Sequence, residues 1–430
     1  MTSSTPSASD PAQSPDPDHL ALDADWTAHT VAVQAGRPAR VAGAPMNPPI
    51  TLSSTYVHEA SPEYGRDGNT AWAALEAGRS VLVFSDNVPV DQEVRLKDEA
   101  ARRGLLVMGP DCGTAVVGGA GLGFANAVSP GPVGIVAASG TGAQQLLCLL
   151  DGAGVGVAHC LGVGGRDLSA AVGGRSTEAA LALLDTDPAV ELIVVVSKPP
   201  APDVADNVRT FAASLKTPVQ FALLGHGQPD LTAAAAQTVR TLGGDWAAPR
   251  SWPRGSDPVG GTLRGLFGGG TLCDEAMVIA AAALGPIRSN IPLDPEQALD
   301  DPLGADPAAG HLMVDFGDDA LTQGRAHPMI DQRTRLDRLA RESAAPGVVL
   351  LDVVLGHGAH PDPAGELAPA IRDLLAARAD LAVVVSLCGT AGDPQGLDRQ
   401  AETLAAVGAS VYLSNADAAR AAVALIGGGK

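Results

Sequence analysis

Residues 133–152 of the sequence read VGIVAASGTGAQQLLCLLDG, and this stretch decides the fold class. A continuous apolar run over residues 133–138 is followed by a turn of small residues and then by a helix-like segment. An apolar run without alternation is typical of a strand that is covered on both faces of a parallel sheet. The stretch therefore predicts a strand–turn–helix unit of an α/β protein.

The same unit recurs along the chain. Further apolar runs begin near residues 80, 105, 157, 191 and 218, with helical candidates between them. The rhythm stops at GGDWAAPRSWPRGSDPVG, residues 243–260, which we predict to be a linker. It resumes with runs near residues 262, 311, 347, 381 and 409. This alternation predicts two doubly wound, flavodoxin-like parallel-sheet domains, over residues 80–242 and 261–430.

The N-terminal segment differs from the rest. Residues 1–24 are rich in Ser, Pro and Asp and lack the basic start and apolar run of a signal peptide, so we predict a disordered leader. Residues 25–78 contain Pro-rich loops and one short helix over residues 71–77, with too little apolar periodicity for a core. We expect this segment to be largely irregular.

Charge limits the partners. The chain carries 48 acidic and 28 basic residues, for a formal net charge of -20. Nucleic acid and anionic membrane both need a basic face, so neither is an expected partner. Small anionic substrates remain possible because a local site can hold them.

Cysteine usage and hydropathy place the protein in the cytoplasm. The five cysteines are scattered and form no CxxC pair, which argues against a disulfide framework or a zinc site and favours a reducing cytosol. No run approaches the roughly 20 apolar residues of a membrane span. His357 and His360 are spaced wrongly for two ligands on one helical turn, so we expect no metal site.

The turns after parallel strands are the candidate binding sites, because helix N-termini there offer free N–H groups and a positive dipole end. The best candidate is Ser139, Gly140, Thr141 and Gly142. Its glycines let the backbone approach an anion, and both hydroxyls can donate to it. A phosphate cradle and a tight turn with an ordinary Ser or Thr cap are about equally good interpretations.

A second turn, residues 162–167, contains Gly164, Gly165 and Arg166. Arg166 could clamp a carboxylate or phosphate in a bidentate manner. The alternative is an exposed loop with a solvent-facing Arg166–Asp167 pair. Cys112 lies in another such turn but has no neighbouring base, so we predict a buried small residue rather than a nucleophile.

The second domain repeats this logic. Gly269, Gly270 and Thr271 open a helix, as in an anion cradle. Arg325 and His327 share a loop that follows the acidic run 315–319. They could bind an anion, help to coordinate a divalent metal, or brace the loop through ion pairs.

Several of these stretches resemble the FdrA-type acyl-CoA synthetases of the succinyl-CoA synthetase superfamily. The motifs are FSDNVPVDQEVRLKDEAARRGLLVMGPDCGTA from residue 84, GIVAASGTG from residue 134, GGRDLS from residue 164 and VSKPPAP from residue 196. GGGTLCDEA from residue 268, DFGDD from residue 315, GRAHPMID from residue 324 and LLDVVLGHGA from residue 350 continue the match. The resemblance covers residues 80–430 and implies two ligase domains in a cytosolic enzyme.

The resemblance also implies site residues. In succinyl-CoA synthetases, two helix N-termini stabilise a phosphohistidine, and CoA and ATP or ADP take part. One helix start would be at Ser139–Gly140–Thr141 here, and the other would follow Gly356, His357 and Gly358. The family's GHAG loop has no match, and His226 lies near that position without coinciding with it.

The family has further been linked to oxamate carbamoyl transfer in allantoin degradation, as one subunit of a complex. That function implies carbamoyl phosphate on the helix starts and oxamate on Arg166 or Arg325. Members also carry a Rossmann domain before the first ligase domain, and most of it is missing from this sequence. A non-catalytic relic is therefore a further interpretation.

The region before residue 79 has a different resemblance. VAVQAGR from residue 31, PPITLSSTYV from residue 48 and YGRDGNTAWAALEA from residue 64 are similar to the start of cystathionine γ-synthase-type PLP enzymes. In that family a Tyr and an Arg at the positions of Tyr64 and Arg66 bind the cofactor phosphate of a neighbouring subunit. The body of such an enzyme, with its Schiff-base lysine, is absent, so PLP binding is not expected.

Overall fold

The computed structural model of the chain describes residues 65–255 and 257–427, with side chains from residue 70 onward. The predicted leader, most of the segment 25–78, Tyr64 and the side chain of Arg66 lie outside the described residues. All described residues belong to one compact unit. Among the described helices, none combines the length and the apolar character needed to cross a bilayer.

The first described elements form a small layer of their own. In chain order they are α1 (Gly65–Glu76), β1 (Val81–Leu82), α2 (Val90–Arg103) and β2 (Val107–Met108). β1 and β2 pair in parallel as a separate two-stranded sheet. The apolar runs near residues 80 and 105 are thus strands, as predicted, but they do not join a large sheet. α1 also begins earlier than the predicted helix over residues 71–77.

The second group of elements builds the first large sheet. They are β3 (Thr114–Val117), β4 (Ala120–Gly123), β5 (Val133–Ala138), α3 (Gly140–Gly152), β6 (Val157–Gly162), α4 (Arg175–Asp185), β7 (Leu192–Ser197), α5 (Pro202–Ala212), β8 (Val219–Leu223) and α6 (Leu231–Thr241). The six strands lie in the order β4-β3-β6-β5-β7-β8. β5 to β8 are parallel, as predicted, and β3 is antiparallel to β4 and β6.

The hairpin of β3 and β4 was not predicted. Its turn residues Gly118 and Gly119 have φ angles of +56° and +82°, the conformation that a tight two-residue hairpin requires. The glycine pattern of residues 119–123 therefore serves this hairpin. No helix follows these residues directly, so they do not form a dinucleotide-binding turn.

The third group builds the second large sheet. Its elements are β9 (Ser251–Trp252), β10 (Thr262–Phe267), α7 (Gly270–Leu284), β11 (Arg288–Ser289), β12 (Leu312–Asp315), α8 (Asp319–Thr322), α9 (Arg333–Leu339), β13 (Gly347–Val354), α10 (Pro363–Ala377), β14 (Leu381–Cys388), α11 (Leu397–Ala406), β15 (Ser410–Tyr412) and α12 (Asn415–Ile426). The strands lie in the order β11-β12-β10-β13-β14-β15-β9. All pairs are parallel except β15 with β9.

Both edge strands of this sheet depart from prediction. β9 lies inside the segment 243–260, so the predicted linker contributes a strand. β11 is a two-residue pairing that is too short to show as an apolar run.

One hydrophobic core joins the two sheets. Leu146 and Leu150 of α3 and Leu231 of α6 belong to the same buried cluster as Leu272 and Met277 of α7. The outer faces of the two sheets are covered by separate clusters. Burying apolar surface between the sheets therefore fixes how α3 and α7 approach each other.

Candidate functional site

The starts of α3 and α7 meet at the boundary between the sheets. Ser139 is the N-cap of α3, and its Oγ accepts a hydrogen bond from the Gly142 N–H at 3.1 Å. The same Oγ lies 2.7 Å from Oγ1 of Thr271, the second residue of α7. We call Ser139, Gly140, Thr141, Gly270 and Thr271 the α3–α7 junction. The structure thus brings together two turns that were predicted separately in the two halves of the sequence.

Small residues make this approach possible. A Cβ on Gly142 would lie 3.0 Å from Thr271 Cγ2, and a Cβ on Gly269 would lie 2.7 Å from Thr141 Cγ2. Gly140, in contrast, is exposed, and its nearest neighbour would be Thr114 Oγ1 at 3.8 Å. The junction is therefore tightly packed on its inner side and open at Gly140.

Several amides at the two helix starts of the junction have no partner in the described part of the chain. Within the described residues, the N–H groups of Gly140, Thr141 and Gly270 have no hydrogen-bond acceptor. The positive dipole ends of two helices point toward the same place, and an anion there would be stabilised by both.

The loop before α7 is already occupied. The carboxylate of Asp352, on β13, accepts the N–H groups of Gly268 at 2.7 Å and Gly269 at 2.8 Å. Arg335 donates to the same carboxylate at 2.6 Å. The amide of Gly269, predicted to bind phosphate, is therefore used internally. Sequence reasoning missed Asp352, because only the fold brings β13 beside this loop.

A lysine and two buried carboxyl groups lie beside the start of α7. A Cβ on Gly270 would be 3.0 Å from Lys198 Nζ and 2.6 Å from Asp315 Oδ2. Lys198 Nζ is also 3.7 Å from Asp274 Oδ2. We call Lys198, Asp274 and Asp315 the Lys198 cluster. Sequence reasoning did not assign Lys198 to the site, although it directly follows the parallel strand β7, where ligands bind in such sheets.

One member of this cluster, Asp315, has a pKa near neutrality. Burial raises the pKa of Asp315 to about 7, although Lys198 opposes the shift. Burial also raises the pKa of Asp274. Burial would lower the pKa of Lys198, but the carboxylates of Asp274, Asp315 and Asp111 outweigh it and raise that pKa. Lys198 is thus a cation at neutral pH, while Asp315 can hold or release a proton.

Arg166 is already paired within the chain. It pairs with Glu93 of α2 at 3.0 Å and donates to the Val88 carbonyl at 2.7 Å, so it braces α2. The predicted Arg166–Asp167 solvent pair is wrong, because Asp167 is buried and pairs with Lys97 at 2.7 Å.

The two glycines before Arg166 serve a close backbone approach. A Cβ on Gly164, where φ is +91°, would lie 2.2 Å from the Pro110 carbonyl oxygen. A Cβ on Gly165 would lie 2.9 Å from Asp111 Oδ2. These glycines therefore pack against the turn that contains Asp111, and substrate binding by them stays a prediction.

The side chains of Arg325 and His327 have different surroundings in the structure. Arg325 is exposed and donates to Thr334 at 3.1 Å, which braces its own loop. His327 lies closer to the cluster, since a Cβ on Gly317 would contact both His327 Nε2, at 2.8 Å, and Asp315 Oδ1, at 3.1 Å. Burial and the nearby Arg335 lower the pKa of His327 to about 4, so its imidazole is neutral at pH 7.

Residues 356–358 do not supply the second helix start. The Gly356 N–H donates to Gln395 Oε1 at 3.0 Å, and the His357 N–H donates to the Ala125 carbonyl at 2.8 Å. α10 begins only at Pro363. The amides of Gly356 and His357 are therefore used within the chain, and phosphate binding by Gly358 stays a prediction.

The remaining candidate nucleophiles lie elsewhere. His226 is exposed in the loop after β8, and no described contact joins it to the α3–α7 junction. Cys112 is buried, and burial raises the pKa of its thiol to about 12. The structure agrees with its prediction as a small buried residue.

Comparison with known proteins adds the family. A family model described as CoA-ligase matches residues 266–425, which run from the end of β10 into α12 and include the start of α7. The fold and the junction thus belong to a protein with a CoA-ligase domain. Over 360 residues the chain is 39% identical to the uncharacterized protein YahF of Escherichia coli (strain K12), covering 77% of this chain and 69% of YahF. The chain belongs to the family of YahF.

Two weaker likenesses accompany this match. The chain is 25% identical over 152 residues to the succinate–CoA ligase [ADP-forming] subunit alpha of Methanothermobacter thermautotrophicus, covering 35% of this chain and 50% of that subunit. It therefore spans half the length of that relative. A solved dinucleotide-forming acetyl-coenzyme A synthetase 1 of Ca. Korarchaeum cryptofilum, in complex with phosphate and ADP, is 15% identical, with 84% and 82% coverage and a TM-score of 0.28. That score is too low for the likeness to bear on this chain's chemistry.

Proposed function

We propose that this chain is a subunit of a cytosolic acyl-CoA ligase of the FdrA type, and that the α3–α7 junction binds the phosphoryl group of an acyl phosphate. The observation that carries the proposal is that the Gly140, Thr141 and Gly270 amides, from helix starts of both sheets, lie together beside Lys198 with no acceptor among the described residues. The CoA-ligase domain and the likeness to a succinate–CoA ligase subunit support the reaction class.

Each part of the junction has a role in this proposal. The N–H groups of Gly140, Thr141 and Gly270 donate to phosphoryl oxygens, and the two helix dipoles add a favourable field. Lys198 supplies the countercharge at the mouth. CoA, ATP or ADP and additional subunits belong to the proposal through the family alone.

Carbamoyl phosphate is the second candidate substrate, as in an oxamate carbamoyltransferase subunit. The exposed position of His226, away from the junction, favours it, because a carbamoyl transfer needs no phosphohistidine. Carbamoyl phosphate and acyl phosphates share the phosphoryl group that the junction would bind. The two candidate substrates are therefore distinguished by comparing their affinities with each other and with that of inorganic phosphate.

Replacing Gly140 tests the proposal directly. The site is open there, so we expect Gly140→Val to fold normally while its side chain covers the amides. Losing charge-assisted hydrogen bonds should weaken binding at least about tenfold. Calorimetry with inorganic phosphate, acetyl phosphate and carbamoyl phosphate measures the effect.

Gly152→Val is the matched control for this variant. Gly152 lies at the other end of α3, and no atom would lie within 4 Å of its added Cβ. The control should bind phosphate as the unchanged protein does. Equal affinities for Gly140→Val and Gly152→Val would remove the junction as the binding site.

A further inference from the structure

Beside the α3–α7 junction, the single cation Lys198 is accompanied by the carboxyl groups of Asp274 and Asp315, which would oppose the binding of a dianion if both were ionised. Asp315 is 4% exposed, and its Oδ1 accepts the Gly317 N–H at 2.9 Å. Within the described residues, Oδ2 receives no hydrogen bond, although it lies against Gly270 at the start of α7. A phosphoryl group on the Gly270 amide would thus face this carboxyl oxygen. An ionised carboxylate there would repel the phosphoryl group, whereas a protonated one could donate to it.

We propose that Asp315 is the acid–base residue of the junction: its Oδ2 takes up a proton when a phosphoryl group binds, and passes that proton between the reacting groups. This inference rests on the proposed function. Asp315 would contact the bound group directly, because the same glycine carries the N–H donor and adjoins the carboxyl oxygen.

Some groups around Asp315 favour its neutral form, and others favour its ionised form. Burial favours the neutral acid, and Lys198 from the end of β7 favours the carboxylate. Asp274 of α7 and Asp318 from the following loop favour the neutral form. The charged or titratable groups that face Asp315 are Lys198, Cys273, Asp274, Asp318 and His327. A dianion adds a further repulsion and should move the balance to the neutral acid.

The transfer step then balances. A nucleophile H–X forms the X–C bond to the acyl carbon, and the C–O bond to phosphate breaks. The electron pair of that bond goes to the phosphate oxygen. The protonated Oδ2 of Asp315 gives its proton to that phosphate oxygen, and the resulting carboxylate then takes the proton of H–X. The residue ends in the protonation state in which it began, as general acid–base catalysis requires.

Calorimetry with inorganic sulfate tests the proton uptake. Sulfate is a tetrahedral dianion that does not titrate near neutral pH, so any proton taken up belongs to the protein. Binding heats in two buffers of different ionisation enthalpy give the number of protons. We expect uptake of about half a proton or more per sulfate at pH 8, falling toward zero near pH 5, where Asp315 is already protonated.

The variant Asp315→Asn should reduce this uptake to less than half. Glu275→Gln is the matched control, because Glu275 is also buried, at 1% exposed, with its pKa raised by burial to about 7. Glu275 lies on α7, more than one turn after Gly270, and its Oε1 accepts the Leu231 N–H at 2.7 Å. The control should keep the uptake of the unchanged protein.

Three results would contradict the acid–base role of Asp315, and the third would also contradict the proposed function. If the unchanged protein binds sulfate without proton uptake at any pH from 5 to 9, the role of Asp315 is refuted while the proposed function stands; this outcome needs no variant. Full uptake in a folded Asp315→Asn variant would assign the proton to another group and also overturn the role. If neither sulfate nor phosphate binds at all, the proposed function fails, and the inference fails with it.

Discussion

Among the described residues, helix starts from the two sheets meet at the α3–α7 junction and at a second place, and the two contacts are built alike. At the α3–α7 junction the N-cap Ser139 contacts Thr271, the second residue of α7, at 2.7 Å. At the starts of α6 and α12 the N-cap Ser414 contacts Thr232, the second residue of α6, also at 2.7 Å. We call Leu231, Thr232, Ser414 and Asn415 the α6–α12 junction.

The two junctions differ in what faces their amides. At the α6–α12 junction the carboxyl group of Glu275 accepts from the Leu231 N–H and from Asn415 Nδ2, both at 2.7 Å. At the α3–α7 junction no described carboxylate accepts from the amides of Gly140, Thr141 or Gly270. The chain thus supplies its own acid to a backbone amide of the α6–α12 junction, whereas the Gly140, Thr141 and Gly270 amides have no acceptor among the described residues. Where local satisfaction fails in an otherwise consistent fold, a functional site is the expected reason.

The largest effect should come from Asp352, the acid that fills the loop next to the open junction. Asp352→Ala would leave the guanidinium of Arg335 buried without its carboxylate and the Gly268 and Gly269 amides without an acceptor. We expect the free energy of unfolding to fall by about 3–5 kcal/mol, as for other broken buried pairs. Urea unfolding measures it.

Asp380→Ala provides the contrast to that variant. Asp380 pairs with Arg378 at 2.8 Å on the surface, where solvent screens the pair. Its removal should leave the urea midpoint nearly unchanged. Similar midpoints for the two variants would mean that Asp352 does not stabilise the loop before α7.

The next effect is the pH dependence of the unfolding free energy that Glu275 gives to the α6–α12 junction. Burial raises the pKa of Glu275 from 4.5 to about 7, so the folded state holds this proton more tightly than the unfolded state. Stability is then lost as pH rises from about 4.5 to about 7, by roughly 3 kcal/mol at most. Glu275→Gln cannot ionise and should lack this loss. The difference in unfolding free energy, variant minus unchanged protein, should therefore increase between pH 5 and pH 8.

Urea unfolding at the two pH values checks this sign. Asp315 contributes a loss in the same direction, because its pKa is also raised to about 7, so only the difference between variant and unchanged protein isolates Glu275. A difference that stays constant with pH would show that Glu275 does not hold its proton in the folded state.

The local units of both sheets were predictable from sequence, and their mutual placement was not. The turns at Ser139 and at Thr271 are visible because a continuous apolar run, a small-residue turn and a helix lie next to each other along the chain. That the Thr271 turn, rather than residues 356–358, faces Ser139 depends on how α3 and α7 pack in the shared core. Such packing is a property of many weak apolar contacts and has no local motif.

The charged groups show the same limit. Lys198 and Asp315 end parallel strands on different sheets, and only the fold brings them to one helix start. The sequence predicted that Arg166, in a glycine-rich loop, could bind a ligand or pair with Asp167. In the structure it forms an ion pair with Glu93, which lies 73 positions earlier in the sequence. Sequence identifies which strand ends carry charge, but the pairing among them is decided by tertiary contacts.

The smallest effect compares the two hydroxyl bridges. Thr271→Val and Thr232→Val each remove one buried hydrogen bond without changing side-chain volume much. We expect each to cost about 1 kcal/mol of unfolding free energy, because Ser139 and Ser414 keep their capping bonds to Gly142 and Asp417. By stability alone, the two variants should be indistinguishable.

Phosphate affinity should distinguish them. Thr271→Val removes a hydroxyl from the open junction and loosens the start of α7, so we expect phosphate binding to weaken by a few-fold to about tenfold. Thr232→Val alters only the junction that Glu275 already fills and should leave the affinity unchanged. If both variants weakened binding equally, phosphate would be responding to the general packing between the sheets, and the free amides at Gly140 and Gly270 would have no special role.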